Sequence, residues 1–255
     1  MVGAGPALLA PTGKAIAMPV SSDVTPRTRA LLACGVTAAL LYAVAHDVLA
    51  VLLYDGYSLT DQTLSELTSV GAPTRPAALA VEGVSDLLLV AFGAGVWRTA
   101  RGRSLRVAAG CLIGYGALFP LWLPFPMTGR GEGQAPGLSD VMHVALGTIT
   151  IVLMLTAIAS AARCSAASFR TFSWAAFAAV LVLWSWSGAY GGRIAAGDPT
   201  PWLGVVERGA MAAWLFWVAA LSVHLLRSPR TPSNRPEVDA DTLPAAARLS
   251  GRGAG

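Results

Sequence analysis

Apolar residues in this chain come in long blocks, not in stripes. Six stretches of roughly twenty mostly apolar residues lie at about 29–53, 77–99, 104–123, 140–162, 172–192 and 204–227, each bounded by charge, glycine or proline. A block of that length, apolar on every side, has no face to offer water, so each predicts a helix that crosses a bilayer. The expected fold is all-α, a polytopic membrane helix bundle with six transmembrane helices. An even number of crossings puts both termini on one side.

Composition sharpens this reading. Charged residues make up 13% of the chain, against about 25% in a soluble domain, too few to cover a water-facing surface. Mean hydropathy is +0.59. Orientation follows from the basic residues between the blocks. With the N-terminus inside, the cytoplasmic segments hold fourteen of them: Lys14, Arg27, Arg29, Arg98, Arg101, Arg103, Arg106, Arg163, Arg170, Arg227, Arg230, Arg235, Arg248 and Arg252. The other side holds four: Arg75, Arg130, Arg193 and Arg208. That asymmetry predicts both termini in the cytoplasm and a cytoplasmic-membrane location. It also accounts for the basic pI near 9.3 without a nucleic-acid surface. Trp97 and Trp174 then mark the inner interface, Trp122 and Trp202 the outer one.

Residues 1–27 are rich in Gly, Ala and Pro and lack the charge-then-apolar order of a signal peptide, so they read as a disordered cytoplasmic tail. Residues 28–227 form the transmembrane domain, and 228–255, proline-rich with mixed charge, a second disordered tail. Cys34, Cys111 and Cys164 have no metal-type spacing and read as small core residues. No internal repeat is evident. Gly110 and Gly114 form a GxxxG pair that predicts a close helix contact.

The loops on the inner side, Thr99–Leu105 and Ala162–Thr171, are short. The outer ones are more elaborate. Leu59, Leu64 and Leu67 are spaced as the apolar face of a short amphipathic helix lying at the interface or over the bundle, with Asp61 as its cap. The Gly/Pro-rich run 129–137 leads into Asp140 and His143, an acid and an imidazole three residues apart on one helix face. Depth then becomes informative. His46 and Asp47 fall in the outer half of the first span, Glu82 and Asp86 in that of the second, Asp140 and His143 in that of the fourth. Glu207 and Arg208 open the sixth. The inner halves carry His224 and little other ionisable chemistry. With Glu66 in the outer segment above, six acids, two histidines and an arginine at one level predict an outward-facing polar pocket. Each also has a plainer reading. Asp140 serves as a helix cap, Glu207 and Arg208 as interfacial charges, Ser65 and Glu66 as a solvated face, and the helix acids as polar contacts between helices.

Four segments carry a resemblance: Ser65-Glu66-Leu67-Thr68-Ser69-Val70-Gly71-Ala72-Pro73-Thr74-Arg75, Phe125-Pro126-Met127, Asp140-Val141-Met142-His143 and Thr200-Pro201-Trp202-Leu203-Gly204-Val205-Val206-Glu207-Arg208. In this order they resemble the six-helix bacterial and archaeal membrane family catalogued as domain of unknown function 998, over about Arg29 to Arg227. In that family a histidine often follows the Pro-Met pair, where this chain has Thr128. The resemblance implies the fold and the motif positions and no activity.

Two classes of function stay open. One is a non-catalytic membrane protein that binds a lipid or small amphiphile in the outer pocket through Ser65, Glu66, Arg75, Trp202, Arg208, His46 and Asp47. The other is a membrane-embedded, lipid hydrolase-like enzyme. There His143 would be base or metal ligand, Asp140 its neighbour, and Glu66 and Glu207 further acid/base groups. A three-histidine metal site is harder to build, since His224 lies about 25 Å along the helix from Glu207, so a metal held by His46 and His143 would need carboxylates to complete its shell. Cofactor, metal and oligomeric state are not legible.

Overall fold

The computed structural model describes residues 25–130 and 137–227. Both predicted tails therefore lie outside the described residues, apart from Thr25, Pro26 and Arg27. Thr25 accepts the Thr28 amide on its hydroxyl and Pro26 takes the first helical position, so the first helix starts three residues earlier than expected.

The helices are α1 (Pro26–Leu53), α2 (Arg75–Thr99), α3 (Arg103–Ala117), α4 (Phe119–Trp122), α5 (Leu138–Arg163), α6 (Ala167–Gly188), α7 (Gly191–Ala196) and α8 (Leu203–Arg227), with a 3₁₀ turn at Leu64–Thr68. Among the described residues six helical stretches are long and apolar enough to cross a membrane: α1, α2, α3 with α4, α5, α6 with α7, and α8. The third is broken at Leu118, where Pro120 has no N–H to return to the carbonyl one turn back. The loop expected at Ala162–Thr171 shrinks to 164–166, because Phe169 turns into the core and draws the preceding residues into α6.

Spanning helices that follow one another in the chain pack on one another, and α1 packs on α8, so the six close into a ring. Its centre is filled. Trp214 stacks on Trp217 and on Tyr115, and Trp217 Nε1 donates to Ser173 Oγ at 3.1 Å. Leu, Val, Ile, Phe and Trp point outward along α1, α5 and α6 and stay exposed, as a lipid-facing surface requires.

The GxxxG pair is not where the helices come closest. A Cβ at Gly110 would meet only the Trp97 ring at 3.9 Å, and one at Gly114 the Leu153 methyls at 3.6 Å, both ordinary contacts. The close approach is at Gly116, whose Cβ would collide with the backbone carbonyl of Asp86. The face α3 turns to α2 is set by Gly116, two residues on.

Candidate functional site

One end of the ring is capped. Three segments lie over it, residues 54–74, 123–130 and 197–202, and their hydrogen bonds hold them to one another and to the helix ends. The first docks its 3₁₀ turn on α1, α2 and α8, with Leu67 fully buried and Leu64 nearly so. It folds over the bundle, as its spacing predicts. Its cap is Thr63, not Asp61: Thr63 Oγ1 accepts the Glu66 amide, while Glu66 Oε2 accepts the Thr63 amide at 2.7 Å. Asp61 instead holds the start of α8, accepting the Trp202 amide at 3.0 Å.

Glu66 is 2% exposed, so it is no solvated face. Arg130 grips it with a fork, Nε to Oε1 at 2.9 Å and Nη2 to Oε2 at 3.0 Å, while Arg130 Nη1 donates to the Asp198 carbonyl and to Thr200 Oγ1. Burial alone would raise the Glu66 carboxyl. The bonds from Arg130, Thr63 and Gln62, with the guanidinium charge, outweigh it and hold that carboxyl below its ordinary value. One ion pair thus joins all three covering segments. Arg75 turns back to the Thr68 carbonyl, and Ser65 offers its carbonyl to Thr68 Oγ1 at 3.2 Å. The Val70 amide donates to the Met127 carbonyl at 3.0 Å.

The start of α8 is built into this cover. Glu207 Oε2 accepts the Leu64 amide at 2.6 Å, and the Val205 amide donates to the Thr60 carbonyl. Arg208 gives Nε to Asp47 Oδ1 at 2.7 Å, Nη1 to the carbonyls of Leu59 and Gln62, and Nη2 to the Tyr57 hydroxyl at 3.1 Å. Burial pushes the Tyr57 phenol up to about 12 although Arg208 opposes it, so it stays a neutral hydrogen-bonding group. Gly204 is required here, because a Cβ would run into the carbonyls of Leu59 and Gln62. Trp202 takes a left-handed backbone, φ 65°, and leaves its indole 65% exposed, apart from these contacts.

Asp140 and His143 do not act on one another through a hydrogen bond. Asp140 accepts from the Thr128 amide at 2.8 Å, the Thr128 hydroxyl at 2.9 Å and the Gly137 amide at 3.0 Å, tying the loop to the start of α5. His143 turns Nδ1 to the Phe125 carbonyl at 3.1 Å and packs edge-on to Trp122. Glu207, Asp140 and His143 therefore belong to separate contacts. Among the described residues no three His, Cys, Asp or Glu side chains group to hold a metal ion.

Beneath the cover a second set of polar groups lies inside the ring. His46, 1% exposed, puts Nε2 3.2 Å from Glu82 Oε1 and Nδ1 3.1 Å from the Tyr42 carbonyl, and stacks on the Tyr42 ring. Asp86 follows one turn deeper and has no hydrogen bond or ion pair among the described residues. It borders a small cavity of about 20 Å³, room for one water, with Tyr42, Ser85, Tyr115, Trp214 and Leu215 among its walls. Ser85 is 4% exposed and its hydroxyl has no partner.

Several of these residues were legible only in hindsight. Arg130 sits in an outer segment and is one of four basic residues on its side of the chain, but nothing in the spacing names Glu66 as its partner. Tyr42 stands four residues before His46, on the same helix face. Thr128 stood out only as a departure from the Pro-Met-His pattern, and Tyr115 carried no signal.

A family model described as "Protein of unknown function (DUF998)" matches residues 36–224. The chain belongs to this family. The match runs from α1 to the last turn of α8 and so takes in all six spans. No curated protein and no solved structure matches the chain.

Proposed function

We propose that this multi-pass membrane protein is a non-catalytic binding protein that receives the polar end of a lipid or small amphiphile in the chamber formed by His46, Glu82 and Asp86. The capped end faces outward and both termini are cytoplasmic, in keeping with the arginine asymmetry. One observation carries the reading. The acids of the rim, Glu66, Asp140 and Glu207, are committed to amides and guanidinium groups. Asp86 has no hydrogen bond or ion pair among the described residues. Acids inside a membrane bundle are costly, and one without a structural partner is the natural place for a ligand. Glu82 keeps 21% of its side chain exposed, so a polar headgroup can meet the pair it forms with His46, while the one-water cavity lies deeper, at Asp86.

The test is thermal unfolding of delipidated protein with a panel of anionic, zwitterionic and cationic amphiphiles, wild type beside Glu82→Gln. One headgroup class should raise the wild-type melting temperature and leave the variant unmoved. Equal shifts in both proteins for every class would sink the proposal.

A second reading, a lipid-processing enzyme, rests on His143. With Nδ1 on the Phe125 carbonyl, its Nε2 is left basic and without a hydrogen-bond partner among the described residues, the tautomer a base or metal ligand needs. Loss of lipid turnover in His143→Ala, at unchanged melting temperature, would favour it over binding alone.

A further inference from the structure

We propose that Asp86, together with the His46–Glu82 pair one turn nearer the capped end, is a proton-binding site inside the membrane. The inference takes its location from the chamber reading above and does not depend on what amphiphile the chamber holds.

The argument starts from donors and acceptors. His46 Nδ1 faces a backbone carbonyl and Nε2 faces a carboxylate oxygen. Both partners are acceptors. A neutral imidazole has one N–H, so satisfying both contacts requires either an imidazolium or a proton on Glu82. The pair therefore holds one proton more than neutral histidine and free carboxylate would supply in bonds. That proton can reside on either group, which is what a relay position requires.

Asp86 is the next acid inward. Arg75 begins α2, and at 1.5 Å per residue Asp86 lies about 16 Å down the helix, near the middle of its length. Backbone amides at that depth are used by the helix itself, so a carboxylate there must look to side chains. The titratable and charged groups around it are few. Tyr42 faces it from α1, with His46 a turn above; Glu82 stands above it on α2; Tyr115 faces it from α3. From α8 come Trp214, Leu215 and Val218, with Glu207 two turns toward the cap. None is a cation bonded to Asp86. The nearest acid, Glu82, has the same sign and opposes a second negative charge.

The independent observation is Ser85. Its hydroxyl is buried, without a partner among the described residues and on the cavity wall beside Asp86, although an unpartnered buried hydroxyl destabilises a fold. With the Tyr42 and Tyr115 side chains it surrounds a space the size of one water. A water there would join Asp86 to the Ser85 hydroxyl and hand a proton to or from the carboxyl. The space takes one water and no hydrated metal cation, and sodium competition separates a bare metal cation from a proton.

Dicyclohexylcarbodiimide tests this on full-length protein in detergent or lipid. A protonated carboxyl in an apolar site gives its proton to a carbodiimide nitrogen and its oxygen to the central carbon, and nothing leaves. Tandem mass spectrometry should place the adduct on Asp86, with labelling falling about tenfold per pH unit above its midpoint, unchanged by sodium. The infrared carbonyl band of a protonated acid, present in wild type and lost in Asp86→Asn, reads the same proton without reagent access. Absence of both adduct and band, or protection of Asp86 by sodium at fixed pH, overturns the proposal. If amphiphile stabilisation depends on Glu82 while Asp86 shows neither signal, the proton site falls and the chamber stands. If both Asp86 signals appear with no amphiphile effect, the proton site stands and its occupant is misassigned.

Discussion

Arg130→Ala should unfasten the cover. The guanidinium makes two bonds to Glu66 and one each to the Asp198 carbonyl and Thr200 Oγ1. Removing one partner of a buried ion pair costs about 3–5 kcal/mol. Here the cost is reduced, because Glu66 keeps the Thr63 amide and hydroxyl and Gln62, and the Arg130 side chain is 22% exposed. About 2–3 kcal/mol remains, enough to lower the melting temperature of purified protein by several degrees. Arg130→Lys keeps the charge but not the fork, and should recover less than half of the loss. The pH dependence follows from Glu66, whose folded carboxyl is held below its ordinary value of 4.5. A depressed acid stabilises the fold above its unfolded value, and the gain disappears as pH falls through 4.5 and on through the folded value. Wild type and Arg130→Ala should therefore differ at neutral pH and converge in acid. Equal melting temperatures at neutral pH, or a gap that persists in acid, would refute the assignment of Glu66 as the anchor.

Two further outcomes follow from the fold. Gly116→Ala places a methyl against the Asp86 carbonyl, a backbone atom that cannot swing away, and should cost about 1–3 kcal/mol in melting experiments. Gly110→Ala, whose added methyl meets only the Trp97 ring at 3.9 Å, is the control and should be near neutral. For orientation, a single cysteine at Asp55 in a background lacking Cys34, Cys111 and Cys164 should react with an impermeant thiol reagent on intact cells. Labelling only after lysis would place the capped end in the cytoplasm.

The helices were legible because a bilayer imposes one rule, that an uninterrupted apolar block must hydrogen-bond to itself. Three of the boundary shifts trace to local chemistry, at Thr25 and Pro26, at Pro120 and at Phe169. The level at which polar residues gather was legible too, since depth is counted along a helix. Their pairings were not. Several acids stand level with Arg208, and depth does not choose among them. In the fold Arg208 reaches Asp47 on α1 while Glu207 accepts a loop amide. Such choices depend on ring order and on loop backbone, neither of which has a periodic signature. Asp61 shows the same limit: a cap by spacing, it lost that position to Thr63 because the adjoining Glu66 completes a reciprocal pair with threonine.

The chamber raises a different question, why an acid should stand at Asp86 at all. Rim acids are inexpensive because loops supply free amides, as Thr63, Leu64 and Thr128 do. A mid-helix acid has no such donors, and a carboxyl with no hydrogen bond or ion pair among the described residues gives the fold nothing an apolar side chain would not. Asp86→Leu should thus melt at or above the wild-type temperature, since the side chain gains Leu89 and Trp214 as neighbours and forfeits no hydrogen bond. A purely structural Asp86 predicts the opposite, a loss comparable to that of Arg130→Ala. A fall in melting temperature for Asp86→Leu, with Asp86→Asn tolerated, would mean that the position needs a polar bond and that the fold, not a bound proton or ligand, is what the acid serves.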